Sequence, residues 1–543
     1  MFRIGIDFDN TVACYDQAFV AAAGLSGICI DPSVPEKKYI KEQILSQEFG
    51  QVRWQRLQGK VYGKHINLAR TFAGVHEFIY LAKERGHKVF IVSHKTEFGH
   101  FDEERIPLRS QALNWLRSNG LLGGTLNLLT LEDIFFEPTQ AAKIARISRL
   151  KCTHFIDDLV EVLDSPDLSE KVVRILFDPS LKYGLNNGIL GFSSWRGITN
   201  SILDDWTDGE ICSVLRRELP KLKITEVERI RGRGNSRVMK VNTFGVKSYI
   251  LKCYPDRQLD GRERLKVEFS ALRSLFDLNF PVPEPVYSNE EFDWGLYENI
   301  AGTPAKADGR FVKNAADFIE RIYLARRLIL QFCEIGLASE ACLSGSEIVN
   351  QIQLRLRKLN ELNVDYLRDF IVDDFSPILD IAQTLAIQVV GKRFSEVLIK
   401  AHQLPSPGDF GAHNAIKSNA HGIIFIDFEY FGWDDPVKLV SDFYWHPAME
   451  LSISLRQEWL LRCKEIFSED HFFLDRLRGY LPLFGLRWCL ILLNEFVATA
   501  LARRTFANPM GNVSKELLLR EQFVKAARLL KLVKEHIDHG FAV

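Results

Sequence analysis

The amino-acid sequence predicts two consecutive domains: an α/β domain with a parallel sheet and a helical insertion, then a bilobal α+β domain. Up to about residue 200, short apolar segments alternate with amphipathic ones, which indicates a parallel sheet with helices on both faces. From Ile224 the apolar residues recur at every second position, as in antiparallel strands, and after about Gly309 the pattern is mainly helical. We therefore place the two domains at residues 1–205 and 206–543.

The strands of the first domain follow from its apolar segments. We predict strands at Arg3–Phe8, Lys88–Ser93, Thr153–Ile156 and Val172–Phe177. Between them, Val75–Arg85 and Pro107–Asn119 have the periodicity of amphipathic helices. The segment from about residue 14 to residue 70 is also helical in pattern and interrupts the alternation. We expect it to form a cap over the carboxyl edge of the sheet.

The second domain divides into a sheet lobe, about residues 210–305, and a helical lobe, about residues 306–543. The predicted strands of the sheet lobe are Ile224–Arg231, Arg237–Asn242 and Tyr249–Tyr254. Residues 295–302 are interpreted as an edge strand that leaves this lobe. Such a strand is where a hinge could bind a purine through backbone groups.

Composition restricts the partners that we expect. A net charge of −1 over 543 residues gives no electrostatic reason to expect a nucleic acid or an anionic membrane as a partner. No apolar stretch approaches the roughly 20 residues of a membrane span, and no secretory signal pattern precedes the first strand. The nine cysteines are dispersed without a CxxC pair, which is typical of reduced thiols. We expect a cytoplasmic protein that binds small molecules, and the oligomeric state stays open.

Polar side chains capable of phosphate chemistry follow the strands of the first domain. Asp7 and Asp9 come directly after the first strand, at the edge where open α/β sheets bind ligands. The first carboxylate could attack phosphorus, and the second could protonate the leaving oxygen and later activate water. Ser93 ends the second apolar strand, and Lys143 opens a helical segment, with Lys151 as a nearby competitor.

Asp157 and Asp158 end the next predicted strand, so a nucleophile, a hydroxyl, a lysine and an acidic pair occur in this order. This order resembles the haloacid dehalogenase-like (HAD) phosphohydrolase superfamily, over roughly residues 1–200, and implies its Rossmann-like α/β fold. The resemblance implies that Asp7 forms an aspartyl-phosphate and that Asp9 is the general acid/base.

The same resemblance implies that Ser93 and Lys143 bind the transferring phosphoryl group. A Mg²⁺ site would then be built from the carboxylates of this edge. Its predicted ligands are Asp7, Asp9, Asp157 and Asp158. His94 and Lys95 are interpreted as loop residues near the site.

The second domain contains the minimum set for kinase-type phosphoryl transfer. Asp409 is followed by Asn414 and, after an apolar run, by Asp427 in the segment Ile426-Asp427-Phe428-Glu429. One carboxylate could take the proton of an acceptor hydroxyl, while the amide and the second carboxylate could hold the metal of a nucleoside triphosphate.

Upstream of this set, two strands are joined by a turn that could place backbone N–H groups against phosphates. Its candidate nucleotide-binding residues are Gly232, Gly234, Asn235 and Ser236. A later strand ends in Lys252, which could reach the α- and β-phosphates. The next helical segment carries Glu268 as a candidate partner for this lysine, with Glu263 as the alternative.

These parts in this order resemble the aminoglycoside phosphotransferase and choline kinase-like group, relatives of the protein kinases, over about residues 210–450. The resemblance implies a protein kinase-like fold, with Asp409 as the catalytic base and Asn414 and Asp427 as Mg²⁺ ligands. Pro407 stands where this group usually has a histidine that braces the loop, and His413 is interpreted as an ordinary loop histidine. No Gly-x₄-Gly-Lys-Ser/Thr segment occurs, which argues against a P-loop kinase.

Together, the two sets indicate a bifunctional enzyme that uses Mg²⁺ and ATP. The first domain would hydrolyse a phosphate ester. The second would phosphorylate a hydroxylated small molecule, such as a sugar or an aminoglycoside-like compound. The alternative is that one domain is a catalytically weak nucleotide-binding regulator of the other. Of the two, the kinase-like domain is the favoured candidate for this role. Phosphorylation of a protein is disfavoured because the catalytic loop lacks His-Arg-Asp.

Overall fold

A computed structural model describes residues 1–25, 37–99, 104–124, 126–180, 188–230, 236–255, 262–332, 336–362, 364–497 and 515–539. The described residues form two compact units, which divide between Thr207 and Asp208. The sequence places its boundary two residues earlier, at 205/206.

The first unit is organised around a six-stranded sheet that is parallel throughout, with the order β5-β4-β1-β6-β7-β8. The strands of this unit are β1 Arg3–Ile6, β2 Ala13–Cys14, β3 Arg70–Thr71, β4 Lys88–His94, β5 Ile134–Glu137, β6 His154–Asp157, β7 Val173–Phe177 and β8 Ile189–Phe192. All four strands expected from the sequence are present. Within the six-stranded sheet, the two strands that the sequence analysis did not predict, β5 and β8, form the edges. It also did not predict the short pair β2 and β3.

Helices cover this sheet and form the expected insertion. They are α1 Asp16–Leu25, α2 Lys37–Leu45, α3 Gly50–Tyr62, α4 Val75–Glu84, α5 Leu108–Ser118, α6 Gln140–Arg149, α7 Val160–Leu163 and α8 Trp195–Ile202, with 3₁₀ turns at Ile66–Leu68 and Leu131–Asp133. Helices α1–α3 lie between β2 and β3, which pair antiparallel and close the insertion at Cys14 and Arg70. The Thr139 hydroxyl accepts a hydrogen bond from Ala142 N and so caps α6, the helix that carries Lys143.

The second unit begins with helix α9, Asp208–Glu218, and a five-stranded antiparallel sheet in the order β12-β13-β11-β10-β9. Its strands are β9 Ile224–Ile230, β10 Arg237–Thr243, β11 Ser248–Cys253, β12 Pro285–Asn289 and β13 Trp294–Glu298, and helix α10 is Arg264–Asp277. The prediction of an edge strand from Gly295 was wrong. Strand β13 pairs on both sides, and the edge position belongs to β12, which starts at a proline that lacks an N–H to donate.

The remainder is mainly helical, with short strands that carry the second set of polar residues. The strands are β14 Gly302–Pro304, β15 Leu404–Ser406, β16 Ala415–Ser418, β17 Gly422–Phe425 and β18 Gly432–Asp434. The helices are α11 Gly309–Phe332, α12 Gly345–Asn360, α13 Asp365–Asp369, α14 Ser376–Val390, α15 Pro436–Trp445, α16 Ile453–Ile466, α17 Phe473–Leu492 and α18 Lys515–His539, with a π-helical segment at Phe370–Phe375 and short 3₁₀ turns elsewhere. Within the described parts of the chain, no helix is both long enough and apolar enough to span a bilayer.

Three aspartates after β17 tie this part together. Asp435 caps α15 and forms two hydrogen bonds with the guanidinium of Arg476, at 2.9 and 3.0 Å. Lys438 lies 3.1 Å from Asp434 and 3.3 Å from Asp442. All of these side chains are at least nine-tenths buried. They therefore hold helices to the strand region through paired, buried charges.

Candidate active sites

Three carboxylates meet at the carboxyl ends of β1 and β6. Asp7 follows β1, and Asp157 and Asp158 end and follow β6, so the parallel pairing of the two strands brings them together. One oxygen from each of the three lies within 4.8 Å of the others. Lys143 reaches in from α6, and its ammonium donates to Asp7 and to Asp157 at 2.6 Å each. Lys151, the competitor, is exposed at the end of that segment.

Burial makes it unfavourable for all the carboxylates of this cluster to be ionised. Burial raises the pKa of Asp157 to about 7, although the ammonium of Lys143 opposes the rise. Burial and the charge of Asp7 together raise the pKa of Asp158 well above its ordinary value. For Lys143, burial lowers the pKa, but Asp7 and Asp157 outweigh it, and the net direction is upward. A cluster of oxygens with more negative charge than one lysine can balance fits a hard divalent cation such as Mg²⁺.

Asp9 lies outside this group of three. Both of its carboxylate oxygens contact the ammonium of Lys95, at 2.9 and 2.8 Å, and Tyr15 donates to it at 2.7 Å. The Lys95 side chain is only 2% exposed, and its ammonium also faces the rings of Phe8 and Tyr62. The interpretation of Lys95 as a loop residue therefore missed its ion pair. Its position two residues after Ser93 was the only available signal.

A cavity of about 370 Å³ opens onto these groups. Its lining includes the predicted residues Asp7, Asp9, Ser93, Lys143 and Asp158. The insertion contributes Gln55, Gln58 and Tyr62 from α3. Lys37 on α2 donates to Asn10 at 3.1 Å and to the Tyr62 hydroxyl at 3.2 Å, which ties the insertion to the loop after β1. A phosphate ester placed here would be enclosed by the sheet edge on one side and by the insertion on the other.

In the second unit, Lys252 joins two acidic groups. It lies on β11, and its ammonium donates to both oxygens of Glu268, at 2.8 and 2.7 Å, and to Asp427 at 2.7 Å. Glu268 is buried on α10 and also accepts from the Tyr254 hydroxyl at 2.6 Å. Glu263, the alternative partner, stands at the start of α10 near Lys266. The structure thus brings Glu268 to the lysine.

Burial and neighbouring charges also shift the pKa values of the groups around Lys252. Burial would lower the pKa of Lys252, but Asp427 and Glu268 raise it well above its ordinary value. Burial raises the pKa of Glu268, and Lys252 opposes this. Burial and the nearby Asp427 raise the pKa of Glu429 to about 7. Oxygens of Glu268, Asp427 and Glu429 lie within 4.8 Å of one another, so this cluster also has the donor set for a hard cation.

The catalytic-loop candidates lie together between β15 and β16. The Asn414 amide donates to the backbone oxygen of Asp409 at 2.9 Å and to its carboxylate at 3.1 Å. His413 and His446 direct their Nε2 atoms at the other carboxylate oxygen, at 2.9 and 3.4 Å. His413 is therefore not an ordinary loop histidine. His446, at the end of α15, was missed because nothing in the sequence relates it to Asp409.

The remaining nucleotide-binding candidates are only partly visible. Gly232, Gly234 and Asn235 lie outside the described residues. Ser236 is described, and its hydroxyl donates to Glu429 at 3.4 Å. Glu429 also pairs with the buried guanidinium of Arg264. Ser236 thus contacts the acidic cluster of Glu268, Asp427 and Glu429 through the last of these residues.

No known family pattern matches the sequence, and no curated protein is detectably similar to it. The structure is similar to choline kinase LicA from Streptococcus pneumoniae, with 14% identity, a TM-score of 0.41, and coverage of 59% of this chain and 98% of that chain. A choline kinase from Cryptosporidium parvum gives 14% identity and a TM-score of 0.43, over 61% of this chain and 96% of that chain. The gentamicin–APH(2")-IIa complex is 14% identical in sequence, with a TM-score of 0.40 and coverage of 60% of this chain and 97% of that chain.

Proposed function

We propose that the protein is a bifunctional phosphate-transfer enzyme, with a HAD-type, Mg²⁺-dependent phosphatase in the first unit and an ATP-dependent small-molecule kinase in the second. The observation that carries the first half is Lys143 between Asp7 and Asp157 at the edge of a parallel sheet. The observation that carries the second half is Lys252 between Glu268 and Asp427, with Asp409 and Asn414 on a separate loop of the same unit.

In the phosphatase half, a carboxylate oxygen of Asp7 attacks phosphorus, the bond to the leaving oxygen breaks, and an aspartyl-phosphate forms. Asp9 would give a proton to the leaving oxygen as the general acid. The resulting carboxylate, which Lys95 and Tyr15 hold in place, then takes a proton from the water that cleaves the acyl-phosphate. Ser93 and Lys143 would bind the transferring phosphoryl group. Asp7, Asp157 and Asp158 would hold Mg²⁺, which screens the negative charges that approach each other.

In the kinase half, Asp409 accepts the proton of the acceptor hydroxyl as the acceptor oxygen forms its bond to the γ-phosphorus of ATP and the bond to ADP breaks. Lys252, oriented by Glu268, would hold the α- and β-phosphates. Asn414 and Asp427 would bind Mg²⁺, which would supply positive charge to the phosphates of ATP. The acceptor would be a hydroxylated metabolite such as a sugar or an aminoglycoside-like compound.

Two single substitutions in the full-length protein test both halves. Hydrolysis of p-nitrophenyl phosphate with Mg²⁺ reports the phosphatase. Transfer from Mg²⁺-ATP reports the kinase, with sugars, choline, ethanolamine, gentamicin and spectinomycin as acceptors. We expect Asp7→Asn to lower the first activity at least about 100-fold and to spare the second, and Asp409→Asn to do the reverse.

The same experiments distinguish an active kinase from the alternative, in which the second unit only binds a nucleotide and regulates the first. Binding of ATP without transfer to any acceptor, together with full function of Asp409→Ala, would favour a nucleotide-binding regulator in the second unit. Hydrolysis that survives Asp7→Asn unchanged would rule out the proposed nucleophile.

A further inference from the structure

The carboxylate of Asp409 is held by side chains from two different elements. His413 belongs to the loop between β15 and β16, whereas His446 follows α15. Their imidazole rings stack with centroids 3.9 Å apart and planes 8° from parallel. This stacking directs both Nε2 atoms at the same carboxylate oxygen, Oδ1, at 2.9 Å from His413 and 3.4 Å from His446. Trp488 packs edge-on against His446, with centroids 4.5 Å apart, and so restrains the ring.

The hydrogen bonds of His446 identify which nitrogen carries the proton. The backbone N–H of Ala448 donates to Nδ1 at 3.1 Å, so Nδ1 is the unprotonated nitrogen and the neutral ring carries its proton on Nε2. That proton faces Asp409. A metal ion bound at Nε2 would need the lone pair of that nitrogen, so the proton of the neutral ring would move to Nδ1. There it would oppose the N–H of Ala448, which already points at Nδ1. The geometry is therefore that of a hydrogen-bond donor to the carboxylate and not that of a metal ligand.

The opposite oxygen of Asp409 is also held. The Asn414 amide donates to Oδ2 at 3.1 Å, so rotation of the carboxylate would break hydrogen bonds on both oxygens.

We propose that His413 and His446 are positioning residues that hold the carboxylate of Asp409 oriented toward the acceptor hydroxyl. This inference rests on the kinase activity proposed above. Both residues act through Asp409, so their loss impairs the transfer step and leaves nucleotide binding intact. A displacement of the catalytic group by about 1 Å can slow such a step by about 100-fold.

The test measures release of ADP from Mg²⁺-ATP by the full-length protein, with water as the acceptor, and gives kcat and KM separately. His413→Leu and His446→Leu each remove one donor, and we expect each to lower kcat roughly tenfold with KM for ATP unchanged. His446→Gln keeps an N–H near the position of Nε2 and is expected to recover most of the rate. His471→Leu changes an exposed histidine between α16 and α17 and serves as the matched control with wild-type kinetics.

The outcomes separate this inference from the proposed function. No release of ADP by the wild-type protein together with no transfer to any acceptor named under the proposed function, or turnover that Asp409→Asn leaves intact, removes the kinase and the positioning role together. Turnover that depends on Asp409 but stays within about twofold of wild type in both leucine variants overturns the positioning role alone. A loss that His446→Gln shares in full, or that appears in KM, also overturns it, because both indicate a general structural defect.

Discussion

Replacing Lys143 by methionine should destabilise the first unit more than any surface substitution. The ammonium lies 2.6 Å from Asp7 and from Asp157, and the three side chains are between 0 and 7% exposed. Removing one partner of a buried ion pair costs about 3–5 kcal/mol, because the remaining charges stay buried without compensation. For a unit of about this size, each kcal/mol lowers the melting temperature by about 2–4 °C, so the expected loss is about 6–20 °C.

The matched control is Lys64→Met in the same unit. Lys64 also forms an ion pair, with Glu104 at 2.9 Å, but the two side chains are 53 and 57% exposed. Exposed pairs contribute about 0–1 kcal/mol, so this variant should melt within about 4 °C of the wild type. Scanning calorimetry of the full-length protein in EDTA makes the comparison. Equal losses in the two variants would refute the assignment of Lys143 to a buried, charge-balancing position.

The pH dependence of the Lys143→Met loss provides a second check. The pKa of Asp157 is about 7 in the folded protein, above the ordinary value of 3.8, so the folded state binds more protons between these values. Its contribution to stability therefore decreases as pH rises through that window. Without the ammonium the pKa of Asp157 rises further, so the penalty from this carboxyl keeps growing above pH 7. We expect a larger loss of melting temperature at pH 8 than at pH 6, and a larger recovery with Mg²⁺ than in the wild type. A loss that does not change with pH or Mg²⁺ would contradict this account.

Three further predictions concern other parts of the molecule. Asp435→Ala should cost about 1.5–3 kcal/mol in denaturant unfolding, because the buried Arg476 loses the two hydrogen bonds to this carboxylate and keeps Asp470, at 2.9 Å. Asp365→Ala, which breaks an exposed pair, should cost less than about 1 kcal/mol. Burial lowers the pKa of His536 to about 4, so stability should fall as pH decreases from about 6.5 to 4, and His536→Gln should reduce that fall in acid titrations of the melting temperature. Lys95→Met should lower kcat for p-nitrophenyl phosphate roughly tenfold, and an unchanged kcat would show that the ion pair with the candidate acid/base is dispensable.

The central strands of the first unit were predictable because each contains a run of buried apolar residues. Strands β1, β4, β6 and β7 lie inside the sheet and have neighbours on both sides. The edge strands β5 and β8 were missed because only one of the four residues of each is buried, whereas three of four are buried in β1 and in β6. A short, half-exposed strand gives little periodic signal. The misplaced edge at Gly295 has a related cause, since strand order within a sheet is a long-range property.

Some residues of the candidate sites could be identified from the sequence, whereas others could be identified only from the structure. Asp7 and Asp157 could be named from sequence because each stands next to the end of an apolar strand, and the carboxyl ends of parallel strands share one edge. The sequence named Glu268 as the partner of Lys252 and kept Glu263 as the alternative, and only the tertiary structure shows that Glu268 reaches the lysine. Lys95 gave no periodic signal, and its side chain turns inward to meet Asp9.

The sequence by itself determined the two kinds of sheet, the helical insertion and the acidic residues at strand ends, because these depend on local periodicity and on neighbours along the chain. Only the tertiary structure decided which charges are paired. Lys143 lies 136 residues from Asp7, and His446 lies far beyond the loop of Asp409, yet both pairs are within hydrogen-bonding distance or close to it. Such contacts form because helix packing buries charged groups, and a buried charge is stable only beside a partner that local sequence does not specify.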